Sequence, residues 1–177
     1  MNRYLYVFLM LLFTAFVGGN LALASDVDSK QNKKEKGYYS NGKLRYELPY
    51  INGKAEGIKK GYYSNGALEY EMPYKDGKAE GIKKGYYSNG ALEYEMPYEN
   101  GKIEGLLKEW YKNGKLKTQT PYKNDKAEGV KKSYYKNGKL KATISYKKGK
   151  ADGLFKTWNR NGTVKSEKQY KNGKEVI

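Results

Sequence analysis

Residues 55–74 read AEGIKKGYYSNGALEYEMPY, and residues 79–98 repeat those letters without a change. The same frame runs more loosely along the rest of the chain. Asn-Gly stands at Asn41-Gly42, Asn65-Gly66, Asn89-Gly90, Asn113-Gly114, Asn137-Gly138 and Asn161-Gly162, 24 residues apart each time. A second turn follows at the same period, at Asn52-Gly53, Asp76-Gly77, Asn100-Gly101, Asn124-Asp125, Lys148-Gly149 and Asn172-Gly173. A fixed period of this length implies a stacked architecture in which each unit meets only its neighbours. Such arrays present surfaces and seldom build a single catalytic pocket.

Between the turns the pattern has period two. Leu68, Tyr70, Met72 and Tyr74 fall on one side and Glu69, Glu71 and Pro73 on the other, as in a strand. The Tyr-rich run before each Asn-Gly supplies its partner, with a type I′ turn as the expected connection. A two-residue loop at Asn65-Gly66 sets Tyr63 opposite Leu68, Gly61 opposite Tyr70, Lys60 opposite Glu71 and Gly57 opposite Tyr74. A three-residue loop with a Gly bulge would shift the register by one and lose the Lys60–Glu71 match. The expected fold is therefore all-β, an elongated single-layer antiparallel sheet of six stacked 24-residue hairpins, about twelve short strands. Pro49, Pro73, Pro97 and Pro121 are placed at strand ends beside the second turn.

Ahead of the repeats, Arg3, the apolar run Leu5–Val17 and Ala22-Leu23-Ala24 read as a cleavable signal peptide over 1–24, cut between Ala24 and Ser25. The alternative is an uncleaved anchor, for which the apolar run is short. Residues 25–36 (SDVDSKQNKKEK) read as a flexible polar tether and 37–177 as the repeats. Export to the periplasm, the cell surface or the medium follows from the leader. The net charge is +16, a surface that attracts anionic partners. Nearly all of it is lysine, a hydrated point charge poorly matched to bidentate base or phosphate readout. Nucleic acid ranks last among partners, because export separates the chain from it.

There is no His and no Cys. That removes the commonest general base, thiolate nucleophiles and most zinc or copper sites. Glu56, Glu80, Glu104, Glu128 and Asp152 recur in equivalent settings beside lysines, so salt bridging or solubility explains them better than acid–base catalysis. No enzyme activity, cofactor or metal is expected.

The run Tyr70-Glu71-Met72-Pro73-Tyr74-Lys75-Asp76-Gly77-Lys78-Ala79-Glu80-Gly81 resembles the MORN repeat, whose consensus is Tyr-x-Gly-x-Trp, an Asn-Gly-Lys turn and then Gly. The frame recurs from Tyr46 and Tyr94, and more weakly from Thr118, Ala142 and Ser166. Met72 replaces the third-position Gly, Tyr replaces Trp, and the last three units lose the leading Tyr, which is similar to the bacterial variant MORN repeats. The resemblance implies a twisted single-layer sheet with roles in protein contact, self-association or membrane attachment, some members being filed as antitoxins. Kinases also carry such repeats, but this chain has none of the kinase motifs.

One face carries the candidate binding residues: the aromatic file Tyr38, Tyr62, Tyr86, Trp110, Tyr134 and Trp158, and the lysine file Lys60, Lys84, Lys108, Lys132 and Lys156. Ile58 and its equivalents share that face, while Tyr63, Leu68, Tyr70, Met72 and Tyr74 form the more apolar one. Aromatic and Lys side chains every ~10 Å suit sugar rings or a membrane interface, or else they only pack neighbouring hairpins together. The expected function is a non-enzymatic exported scaffold for an unknown protein partner or for itself. The alternatives are a module for anionic lipid or envelope polysaccharide, and an antitoxin or immunity-like partner of a toxin. The last three units, with Trp110, Phe155, Trp158 and extra lysines, are the expected seat of specific recognition.

Overall fold

The computed structural model describes residues 32–176; the leader, the Ala24–Ser25 cleavage and residues 25–31 of the expected tether lie outside them. Seventeen strand segments form one antiparallel sheet with no helix among the described residues. They are β1 (Asn32–Tyr38), β2 (Leu44–Ile51), β3 (Lys54–Ala55), β4 (Gly57–Tyr62), β5 (Leu68–Lys75), β6 (Lys78–Ala79) and β7 (Gly81–Tyr86). Next come β8 (Leu92–Glu99), β9 (Lys102–Ile103), β10 (Gly105–Trp110), β11 (Leu116–Lys123), β12 (Lys126–Ala127) and β13 (Gly129–Tyr134). The last are β14 (Leu140–Lys147), β15 (Lys150–Trp158), β16 (Val164–Lys171) and β17 (Lys174–Val176). Each pass pairs with the passes before and after it, so the sheet is an open meander. The tether boundary needs correction, since residues 32–36 already pair with β2.

The type I′ geometry expected at the Asn-Gly turn is not found there. At the Asn-Gly turn, Gly66 N–H donates to Tyr63 C=O and Tyr63 N–H donates to Ala67 C=O, each at 2.8 Å. Gly66 alone has positive φ, at 93°. This is a three-residue loop, a type I turn closed by a Gly bulge. Asn65 serves here through its side chain, whose Oδ1 accepts the Ala67 amide at 2.9 Å. The type I′ geometry sits instead at the second turn, where Asn52 and Gly53 have φ of 50° and 77°.

The loop type that should have cost the Lys60–Glu71 match does not. Tyr62 pairs with Leu68, and the register then slips by one, leaving Glu69 as an extra residue before Gly61 meets Tyr70. Two one-residue irregularities cancel, so Lys60–Glu71 and Gly57–Tyr74 are opposed as expected. The expected Tyr63–Leu68 pair is not formed, and Leu68 lies on the face of Tyr62 instead of that of Tyr70.

Four passes are broken into two segments at a glutamate: β3/β4, β6/β7, β9/β10 and β12/β13. At the first break Glu56 N–H donates to Pro49 C=O at 3.0 Å, and Gly57 follows at φ 101°. The proline lacks its N–H on the side where the partner strand bulges, so no ladder acceptor is orphaned. Pro49 therefore lies within β2, not at its end. Where Ser145 takes the proline slot, β15 runs unbroken.

No second layer covers the sheet among the described residues. Leu48, Ala55 and Ala79 are the buried apolar residues, and no large side chain among those described is fully buried. One face packs tyrosine over glycine: a Cβ on Gly61 would lie 2.2 Å from the Tyr70 ring, and one on Gly85 2.1 Å from that of Tyr94. In the last three units Glu109, Ser133 and Thr157 take the glycine slot, and their partners shrink to Thr118, Ala142 and Ser166. Gly61→Ala is expected to cost on the order of 1–3 kcal/mol by overpacking, and adding Tyr70→Thr should recover most of that loss. Urea unfolding of both single variants and the double variant measures the coupling; additive losses would contradict the exchange.

Candidate functional site

The face opposite the stacked tyrosines is assembled by register alone. In β4, Ile58, Lys60 and Tyr62 alternate with residues of the other face, and β7, β10, β13 and β15 repeat the arrangement. All eleven aromatic and lysine candidates stand on this face. The lysines meet acids directly across the strands: Lys36, Glu47, Lys60, Glu71, Lys84, Glu95 and Lys108 are opposed in succession. The ladder continues with Gln119, Lys132, Thr143, Lys156 and Glu167. Lys60 lies 3.8 Å from Glu71 and Lys156 lies 2.5 Å from Glu167. These pairs are half-exposed and each contributes little. The alternation matters more for charge: it is neutral along the first units and broken around Lys132, where Gln119 and Thr143 replace the acids.

The aromatic file is partly occupied in holding neighbours together. Tyr86 OH donates to Glu71 at 3.1 Å and Tyr134 OH to Gln119 at 3.2 Å, each reaching the preceding unit. Tyr62 OH reaches Glu47 at 3.5 Å. Lys156 Nζ sits 5.7 Å above the Trp158 ring, and Tyr38 at the sheet edge is 59% exposed. Beside these rows runs a third one. Ile58, Ile82, Leu106, Val130 and Leu154 are each 41–48% exposed. Ile58, Ile82 and Leu106 face Pro73, Pro97 and Pro121 across the strands. The period in the sequence shows this row as readily as the aromatic one, but only exposure marks it as uncovered surface.

The acid ladder has a structural task that residue types alone did not reveal. Glu56, Glu80, Glu104 and Glu128 accept the amide of the first residue of the next unit's second turn, at 2.7–2.8 Å. Asp152 accepts that of Asn172 at 3.2 Å, and this backbone bond, with Lys171 beside it, holds its pKa below the ordinary value. The second residue of the same turn donates to the preceding unit too, as Gly77 N–H does to Ala55 C=O at 2.9 Å. At the opposite margin, Tyr39, Tyr63, Tyr87, Tyr111 and Tyr135 each donate to a carbonyl 23 residues ahead, at 2.6–2.8 Å.

Several phenols are held above their ordinary value. Burial is the leading cause for Tyr62, Tyr63, Tyr70, Tyr86, Tyr87, Tyr94 and Tyr98. Hydrogen bonding to Glu35 leads for Tyr46 and Tyr50, at 2.7 and 3.1 Å. A raised folded-state pKa favours the protonated sheet, so this stabilisation is complete below the unfolded value of 10.0 and is lost as pH rises through the folded values. The urea midpoint should therefore fall once pH exceeds about 10, in step with tyrosinate absorbance. A midpoint indifferent to that ionisation would contradict the linkage.

An open meander of hairpins, stitched at both margins and with no described element over its faces, defines a surface-presenting repeat scaffold. Six consecutive segments, 31–52, 55–76, 79–102, 103–124, 127–148 and 151–172, match the MORN repeat variant. The chain belongs to the MORN repeat family. That family consists of non-catalytic repeats, generally modules for contact with proteins or membrane lipids. No curated protein matches the chain.

Proposed function

We propose that this chain is an exported, non-enzymatic scaffold that holds an acidic protein partner against its lysine-bearing face. The observation that carries the reading is the uncovered row Ile58, Ile82, Leu106, Val130 and Leu154. Single exposed aliphatic residues are ordinary, whereas a continuous row flanked by charge is the signature of a contact surface. Charge selects the partner. Residues 105–176 hold 20 Lys and Arg against 6 Asp and Glu, a net +14, while residues 32–104 hold 13 against 11, a net +2. Two such C-terminal halves repel one another, which favours an acidic partner over a second copy. Absence of catalysis is consistent with the acid ladder, whose members hold backbone amides in five equivalent places. Anionic lipid or envelope polysaccharide is the competing occupant, and a toxin is one form the protein partner could take.

Affinity capture from the native envelope with the wild type and a Leu106→Ser/Val130→Ser/Leu154→Ser variant tests this reading. A protein retained by the first should bind the second at least tenfold more weakly, about 1.4 kcal/mol, with both chains melting alike. Equal retention would overturn it, as would replacement of the protein by anionic vesicles or polysaccharide, or a dimer that the variant abolishes. Export carries its own check: intact mass should show a chain beginning at Ser25, and an unprocessed cytoplasmic chain would remove that part of the proposal.

A further inference from the structure

A second, differently built site lies at the Asn-Gly margin of the last units. At Tyr87 and Tyr135 of that margin the ring is flanked by the residue six places on and by one at the tip of the next hairpin. Around Tyr87 these are Glu93, an acid acting on its phenol, and Lys112, 5.5 Å from the ring centroid. Around Tyr111 the first is Lys117, paired with Glu109 at 3.7 Å. Around Tyr135 both are cations: Lys141 Nζ lies 5.9 Å and Arg160 Cζ 5.8 Å from the ring centroid. Ser133 and Thr157 take the slot of Glu109 one and two units later, so no equivalent acid is available. The cleft at this point is lined by Tyr111, Tyr135, Lys136, Asn137, Lys141 and Arg160, with no carboxylate among them.

We propose that this cleft binds a phosphoryl group. Lys141 and Arg160 both stand 5.8–5.9 Å from the Tyr135 ring centroid, and both line the same cleft with Lys136. No acid lining the cleft offsets their charge, so an anion is favoured there. Three positive charges exceed what one carboxylate neutralises. A phosphate monoester brings a charge of about −1.5 to −2 and three acceptor oxygens. Arg160, one of two arginines among the described residues, offers the planar fork that pairs bidentately with such oxygens, and the lysines add point charge. The hydroxyls of Tyr111 and Tyr135 are already committed to Tyr134 and Trp158 carbonyls, so the rings act as fixed walls. This assignment does not depend on the protein partner of the opposite face, because it uses other residues at a margin of the sheet.

Titration of the full chain with inorganic phosphate, followed by amide and side-chain NMR shifts, tests the proposal. Saturable shifts should centre on Lys136, Asn137, Lys141 and Arg160. Arg160→Gln should weaken binding at least threefold and Arg160→Gln/Lys141→Gln at least tenfold, while Lys112→Gln, at the acid-containing position, leaves it unchanged. A parallel arm uses phosphatidylcholine vesicles with and without phosphatidic acid. Phosphatidic acid binding lost in the same double variant supports the site and assigns the phosphoryl group to a lipid headgroup; phosphate binding without vesicle binding supports it and assigns a soluble ligand. Shifts spread over all lysines without saturation would overturn the site, as would a double variant that binds like the wild type.

Discussion

Among the described residues nothing covers this sheet, and that constraint shapes every other feature. A single layer cannot bury an apolar face against a second element, so the usual driving force of a core is nearly absent. Stability must come from contacts between each pass and the next. The chain adds such contacts at both margins, beyond the strand ladder. On one side each second turn after the first places its two amides on the preceding unit's carbonyl and carboxylate. On the other, a tyrosine hydroxyl reaches a carbonyl in the following unit. Each such bond is worth roughly 0.5–1.5 kcal/mol net, and their value lies in repetition. Asn159 occupies the tyrosine slot in the last unit, where its side chain donates to Thr163 Oγ1 within the same turn.

The same constraint explains the composition. Rings laid over glycine bury apolar area within the thickness of one sheet, which is why Tyr70 requires Gly61 and why the pair changes together in the later units. Alternating Lys and Glu on the reverse face keep strands soluble while supporting the register. Charged residues at both edges, Lys33, Lys34 and Lys36 on β1 and Lys174 and Glu175 on β17, oppose addition of a further strand. Divergence then acts on an unaltered frame. Losing acids from Gln119 onward leaves the C-terminal half strongly basic without disturbing the backbone.

The fold class, the repeat number and the pairing through Gly61–Tyr70 and Lys60–Glu71 were legible in the sequence, because period two and period 24 are properties of residue order. The turn assignments were not. Asn-Gly suits a type I′ turn, but Asn65 is used through its side chain, and the positive-φ pair sits at Asn52-Gly53, or at Lys148-Gly149 where the sequence signal is weaker. The compensating slip at Glu69 was equally invisible, since a bulge depends on how two strands meet. Of the candidate surface, the aromatic and lysine files fell on one face by alternation. Its uncovered aliphatic row needed exposure, and the acid-free cleft at Tyr135 needed side chains from two hairpins in one place.

By itself, then, the order of residues determined a stack of hairpins with two unlike faces and a charge gradient along it, because alternation and repetition are one-dimensional. Which turn took which geometry, what the acid ladder holds and where cations stand without acids were decided only by the tertiary structure. Those outcomes depend on distances between side-chain and backbone groups 20 or more residues apart, and such distances exist only once neighbouring hairpins pair.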